Sequence, residues 1–254
     1  MVRTMRDVVA HPQRDAHAAF LAAELAARLD LDVEPLPAAG GGDAVLEVAP
    51  WRRHRHRDPA APVVVLPGMR RRHRTLTGRT VLCGVHDDAD VTTAAAASAL
   101  AGAIGMDLVI ATVIPQPAIW VPGPIAPPLS SWVSRDDRAR AQRTLLRVVS
   151  DAGIAGSSVG AYHIRSGAPG PTLAALAQAE DAALVAVSAS IRPWPVRLLI
   201  GSAVNHLARH CARPVVVCPR DPRAAMRLRE ALGWPVPPRT AGEHSGRRRP
   251  PRGS

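Results

Sequence analysis

The chain contains no lysine, so arginine supplies all 32 of its basic residues. Cysteine is also scarce. Cys83, Cys211 and Cys218 form neither a Cys-x-x-Cys pair nor a zinc-ligand spacing, which predicts buried thiols in a reducing compartment. No apolar run approaches the roughly 20 residues that cross a bilayer, and the residues after Met1 lack the apolar segment of a signal peptide. These absences lead us to expect a cytoplasmic protein without a membrane partner.

Positive charge is the main excess in the composition. The formal net charge is +11, and arginines concentrate around residues 52–79 and 247–252. Such basic patches attract phosphate polymers at low salt, but solvated linkers can have the same composition, and we favour linkers. The sequence shows neither a helix-turn-helix signature nor aromatic residues interleaved with basic ones, which base-reading surfaces need. We therefore expect no nucleic-acid partner.

Residues 79–220 alternate between short apolar runs and segments with helical periodicity. The apolar runs, which have the length of strands, are 80–85, 108–114, 157–164, 183–187 and 214–218. Predicted helices lie between them at 91–104, 135–152, 171–180 and 202–211, the first of them capped by Asp90. Strands that are apolar throughout are typical of parallel sheets buried on both faces. The pattern predicts an α/β fold, with an open, five-stranded, mostly parallel sheet and helices on both faces.

The first 76 residues resemble a shortened copy of this plan, with a strand at 8–9, a helix over 14–29 and a strand over 31–36. The string Pro-Val-Val-Val-Leu-Pro at 62–67 closely matches Pro-Val-Val-Val-Cys-Pro at 214–219. We interpret the match as an internal repeat whose first copy lacks its middle elements. The alternative is a chance recurrence in a chain rich in valine and proline.

These patterns divide the chain into three segments. Residues 1–76 are expected to form a small, degenerate α/β half-domain, and residues 77–220 the main domain. Residues 221–254 are expected to form a short helix and then a disordered basic tail rich in proline, glycine and arginine. That tail has too few apolar residues to offset the entropy of ordering it.

Three segments of the main domain, in the correct order, resemble the universal stress protein (UspA-type) family. RTVLCGVHDDADVTTAAAASALAGAIGMDLVIATVI at 79–114 resembles that family's opening strand, helix and second strand. IRSGAPGPTLAALAQAEDAALVAVS at 164–188 is similar to its glycine-proline turn, helix and fourth strand. RLLIGSAVNHLARHCARPVVVCPRD at 197–221 is similar to its closing Gly-Ser, helix and final valine strand. The resemblance implies an adenine nucleotide alpha-hydrolase-like fold, here in tandem with a truncated first half.

ATP-binding members of this family carry the pattern Gly-x2-Gly-x9-Gly-(Ser/Thr), whose glycines let backbone N–H groups approach phosphates. Gly201 and Ser202 match the end of the pattern, but Ser188 and Ile191 stand at its first two glycines. His86 stands where the family commonly has an aspartate after the first strand. The alternative role of Ser202 is that of an ordinary helix cap.

The resemblance implies a candidate site for ATP or another adenine nucleotide, with a degenerate binding motif. Its candidate residues are Gly84, Val85, His86, Val113, Val187, Ser188, Ser190, Gly201, Ser202, Ala203 and Val204. The sequence contains no G-x-S-x-G nucleophile motif, so we expect no catalytic residue. His206 and His210 are four residues apart on a predicted helix, but such pairs occur by chance and nothing acidic within that helix supports a metal site, so we expect no metal.

The last strand is the candidate interface. In stress proteins of this type that strand commonly pairs across a dimer, and an open valine edge would otherwise favour aggregation. We expect it to pair inside the chain with the matching first-half string, as a pseudo-dimer, and homodimerisation is the fallback. The candidate interface residues are Pro214, Val215, Val216 and Val217, with Val63, Val64 and Val65.

Together these patterns predict a cytoplasmic, non-catalytic stress-response or regulatory protein with a degenerate adenine-nucleotide site. The alternative is a protein-interaction module without a small ligand, which assembles through its basic patches and its C-terminal valine strand.

Overall fold

The computed structural model describes residues 8–12, 15–36, 44–50, 61–66, 76–116, 133–189 and 203–233. Within them the strands are β1 (Val8–Pro12), β2 (Asp32–Leu36), β3 (Ala44–Pro50), β4 (Val63–Leu66), β5 (Thr80–Val85), β6 (Asp107–Pro115), β7 (Val159–Gly167), β8 (Ala182–Ser188) and β9 (Val215–Cys218). The α-helices are α1 (Ala16–Leu29), α2 (Val91–Ala103), α3 (Arg135–Asp151), α4 (Pro169–Ala179), α5 (Ala203–His210) and α6 (Pro222–Ala231). Most of the basic stretch at 52–79 and all of the basic cluster at 247–252 lie outside the described residues.

All of these strands belong to one nine-stranded sheet, in the order β2-β1-β3-β4-β9-β8-β5-β6-β7. Neighbouring strands run parallel except β4 and β9, which are antiparallel. The predicted α/β class and mostly parallel sheet are confirmed. The predicted number of five strands is wrong, because the first part of the chain adds four strands to the same sheet through β4.

The two valine strings meet at the centre of this sheet. Val63 pairs with Val217, Val64 with Val216, and Val65 with Val215. On its other side β9 pairs in parallel with β8, in a register that opposes Ser188 and Cys218. Strand β9 therefore pairs with a strand of the same chain on each side.

Helices cover both faces of the sheet. Leu25 of α1, Leu100 of α2, Leu145 of α3 and Leu228 of α6 are buried in one apolar core. The core on the opposite face includes side chains of α4 and α5. Because side chains alternate along a strand, Val64 faces the first core whereas Val63 and Val65 face the second.

Side-chain hydrogen bonds fix helix α1 within the first part of the chain. Asp15 caps α1 by accepting hydrogen bonds from the backbone N–H groups of His17 and Ala18, both at 3.1 Å. Further along α1, the Glu24 carboxylate accepts from the Leu76 N–H at 2.9 and 3.0 Å. The strand β3 was not predicted from the sequence, so the first part lacks fewer elements than expected.

No helix in the described part of the chain has both the length and the apolar character needed to span a membrane.

Candidate functional site

The strand order places a crevice at the carboxyl ends of β5 and β8. From β5 the chain moves outward through β6 to β7, and it then returns to β8 on the other side of β5. Connections therefore leave β5 and β8 towards opposite faces of the sheet, with α2 on one face and α5 on the other. Open α/β sheets bind ligands at such a reversal of strand order.

Three of the sequence-predicted site residues line up at this reversal. A Cβ atom added to Gly84 of β5 would lie 3.2 Å from Cγ1 of Val187 in β8 and 3.0 Å from Cδ1 of Leu173 in α4. Glycine at this position therefore lets α4 pack closely on the strand. Ser188, the next residue along β8, is half-buried beside Cys218 of β9.

Other candidate residues lie on the same edge or just beyond it. Val85 is buried and pairs with Thr112 of β6, and Val113 follows on the face covered by α4. Ala203 and Val204 begin α5, and Val204 shares the apolar core of Val113 and Val187. The predictions for Ser190, Gly201 and Ser202 fall outside the described residues.

The turn after β5 is held by a buried carboxylate. Asp90 has no exposed surface, and its Oδ2 accepts from the backbone N–H of His86 at 2.6 Å and of Asp87 at 3.1 Å. The expectation that Asp90 caps α2 is wrong, because its side chain makes no cap hydrogen bond and closes the preceding turn instead. Asp87 accepts from Ala89 N–H at 3.0 Å. The imidazole of His86 is exposed, so it stands at the mouth of the crevice.

Two arginines face the acidic turn from other elements. Arg220, which follows β9, lies 3.4 Å from Oδ2 of Asp87 and 3.6 Å from Oδ1 of Asp90. Arg147 of α3 pairs with Asp88 at 2.9 Å. Three carboxylates thus meet two guanidinium groups, which leaves one negative charge in excess. Sequence reasoning did not assign a role to either arginine, because no local motif places them beside this turn.

The polar network around Asp90 is incomplete. Among the described residues, Oδ1 of Asp90 and Nε of Arg220 are buried without a hydrogen-bond partner. Leaving a buried polar atom unpaired costs about 1–3 kcal/mol. The contact between Arg220 and Asp90 is also longer than a charge-assisted hydrogen bond. The turn is thus neutralised only in part.

The thiols near this turn are unreactive. Burial raises the pKa of the Cys218 thiol to about 12, and the nearby Asp90 carboxylate adds to the shift. Burial also raises the pKa of Cys83 well above its ordinary value, with Cys218 and Asp90 acting in the same direction. Because the thiolate is the nucleophilic form, neither cysteine supplies a nucleophile at neutral pH.

Helix α5 brings His206 and His210 together, with ring centroids 4.7 Å apart. Burial lowers the pKa of His206, and the neighbouring His210 lowers it further. Within the residues that the structure describes, no group of three or more His, Cys, Asp or Glu side chains could hold a metal ion.

An open α/β sheet with a crevice at a strand-order reversal defines the class of doubly wound α/β domains. Within that class, the model of the universal stress protein family matches residues 78–219, and the chain belongs to this family. The family assignment supports a stress-response protein.

Solved structures of similar proteins align at low identity. A universal stress protein in complex with cAMP is 20% identical over 57% of this chain and 98% of that chain, with a TM-score of 0.41. One from Archaeoglobus fulgidus in complex with dAMP is 14% identical over 55% and 97%, with a TM-score of 0.40. A functionally unknown protein from Pseudomonas aeruginosa PAO1 is 18% identical over 89% and 85%, with a TM-score of 0.49. No curated protein matches the chain.

Proposed function

We propose that the chain is a non-catalytic, regulatory stress-response protein of the cytoplasm that binds an adenine nucleotide weakly at the β5–β8 crevice. The observation that carries the proposal is the convergence of Gly84, Val187 and Ser188 at the strand-order reversal of a universal stress protein domain. Binding there would change the surface offered to a partner, and no turnover is involved.

We expect weak binding because two parts of the site are unfavourable for phosphates: the glycine pattern after β8 and the acidic turn after β5. Serine and isoleucine stand at the first two glycine positions of the family pattern, at Ser188 and Ile191, and the sequence therefore lacks the glycines that let backbone N–H groups approach phosphates closely. The acidic turn after β5 also carries an excess negative charge, which repels a polyphosphate. Adenine ligands with few phosphates are therefore expected to bind better than ATP.

A tandem origin is part of the proposal, with residues 1–76 as a degenerate first half, 77–220 as the complete domain and 221–254 as an extension. The strand order supports it: β7-β6-β5-β8-β9 in the second part is matched by β2-β1-β3-β4 in the first. The first part thus follows the same plan without the outermost strand. The antiparallel β4–β9 pair then corresponds to the interface of an internal pseudo-dimer.

The test is a calorimetric titration of the full chain with adenosine, cAMP, AMP, ADP and ATP. We expect millimolar binding that weakens as phosphates are added. The double variant Ser188→Gly/Ile191→Gly restores the glycine pattern, and it should raise ATP affinity about tenfold, the effect of a regained hydrogen bond to a charged oxygen. Ser158→Gly, in an exposed turn at the opposite edge of the sheet, is the matched control and should change nothing.

The absence of any heat or thermal shift with all five ligands would instead favour the interaction module without a small ligand. In that alternative the last valine strand was expected to be the edge where a partner docks. Strand β9 is already paired with β4 on one side and β8 on the other, so it offers no free edge. The outer strands β2 and β7, where Val33 is 38% and Tyr162 is 42% exposed, are then the edges that a partner could reach.

A further inference from the structure

A cavity of about 210 Å³ lies beside the nucleotide crevice, at the carboxyl ends of β6 and β7 and against the start of α3. Its lining residues are Ile114, Val133, Arg138, Ile164, Arg165 and Ser166. Neither the family pattern nor the proposed function uses any of these residues. The cavity lies on the α3 side of the sheet, where Ile164 packs against the apolar core. Val113, the candidate nucleotide-site residue that precedes Ile114, faces the opposite core under α4.

The cationic side chains of the cavity are free to take a ligand. In the described part of the chain, the guanidinium groups of Arg138 and Arg165 make no ion pair or side-chain hydrogen bond. Asp137, the acid next to Arg138 in sequence, accepts from Ser134 Oγ at 2.8 Å and lies 3.9 Å from Arg140. Asp137 is therefore engaged outside the cavity, whose lining contains two arginines and no acidic residue and so carries net positive charge.

The remaining walls are apolar, apart from one hydroxyl. Ile114, Val133 and Ile164 provide branched aliphatic surface, and Ser166 adds a hydroxyl that can donate or accept. Ligand sites combine such apolar walls with a few polar groups that fix orientation. Arginine recognises carboxylates and phosphates through directed, charge-assisted hydrogen bonds.

The geometry points to a second binding site here, for a small organic anion with a carboxylate at one end and an apolar body. The carboxylate lies between Arg138 and Arg165, and the body packs against the aliphatic wall. A cavity of this volume accepts a ring or a branched chain but not a whole nucleotide. The site is independent of the β5–β8 crevice.

The experiment is an NMR titration of the ¹⁵N-labelled full chain with benzoate, and with benzamide as an uncharged ligand of the same shape. We expect saturable benzoate binding at about 1 mM, with amide shifts centred on Ile164 and Ser166. Benzamide should bind about tenfold more weakly, because it forms no charge-assisted pair with the arginines. Acetate, which lacks the apolar body, should also bind more weakly than benzoate.

Variants separate this site from general attraction of anions to a basic chain. Arg138→Gln and Arg165→Gln should each weaken benzoate binding about tenfold, and Ser166→Leu should block it by filling the cavity. Arg143→Gln, an exposed change on α3 outside the cavity, is the matched control and should leave affinity unchanged.

Three results would overturn the inference: no saturation by benzoate, equal affinity for benzamide, or an Arg143→Gln effect as large as that of Arg138→Gln. None of them depends on an adenine ligand, so the site and the proposed function can fail separately.

Discussion

Asp90 is a fully buried carboxylate that joins the turn after β5 to the segment after β9. It accepts hydrogen bonds from the backbone N–H groups of His86 and Asp87, and its other oxygen lies 3.6 Å from Arg220, the residue that follows β9 by two positions. The first two contacts shape the turn at the crevice, and the third connects that turn to the segment after β9. A single side chain thus couples the turn at the proposed nucleotide site to the strand at the centre of the sheet.

The variant Asp90→Ala should lower the free energy of unfolding by about 3 kcal/mol, because it removes two hydrogen bonds to a charged acceptor and leaves Arg220 without its buried partner. Urea denaturation followed by circular dichroism measures the change. Asp88→Ala is the matched control in the same turn. Asp88 and its partner Arg147 keep 53% and 60% of their side-chain surface exposed, so this change should cost less than about 1 kcal/mol. Equal losses for the two variants would contradict the role given to Asp90.

Individual roles at the site could be predicted from the sequence only where a local pattern carries them. The position of His86 after the first strand and of Ser188 at the end of β8 followed from the order of apolar runs. The role of Asp90 did not, because a cap and a turn-closing carboxylate share the same sequence signature. Arg220 was missed since it reaches Asp87 across 133 residues, and no local spacing encodes such a contact.

At the scale of elements, the close packing of α4 on α5 depends on one glycine. A Cβ atom added to Gly170 of α4 would lie 2.5 Å from Cβ of His206 on α5. Real Cβ atoms do not approach so closely, so any larger residue must push α5 away. Helix α5 begins with Ala203 and Val204, which belong to the candidate nucleotide site.

Gly170→Ala should therefore destabilise the protein by about 1–2 kcal/mol, the usual effect of overpacking. This occurs although alanine is the better helix former by about 1 kcal/mol. Gly156→Ala is the matched control, because a Cβ at Gly156 meets no atom within 4 Å. Thermal unfolding of both variants measures the difference. A Gly170→Ala protein as stable as the parent would show that the two helices are not in close contact.

Most elements of the main domain were predictable, because apolar runs of strand length alternate with helical periodicity from β5 to β9. In the first part of the chain, by contrast, the strand β3 was not predicted. Its sequence, Ala44–Pro50, contains Glu47 within a short apolar run, a pattern that a strand and an irregular segment share. Its neighbours β1 and β4 decide the outcome by pairing with it on both sides, and that information is not local.

At the scale of the whole molecule, the central feature is one continuous sheet made by one chain. The α/β class was predictable, but the number of strands was not. The sequence shows two matching valine strings without showing whether they pair within a chain or between two chains. In the structure β4 covers the edge of β9, and this removes an exposed valine edge that would favour aggregation.

The pairing of β4 with β9 inside one chain is the claim on which the pseudo-dimer depends, and methyl NOE measurements test it most directly. In a valine-methyl-labelled sample, Val64 should show NOEs to Val216, its partner on the same face, and none to Val217, which faces the opposite core. In a mixture of labelled and unlabelled chains, an isotope-filtered experiment should show no NOE between chains at these positions. NOEs from Val64 to Val216 that appear only between chains would contradict the account.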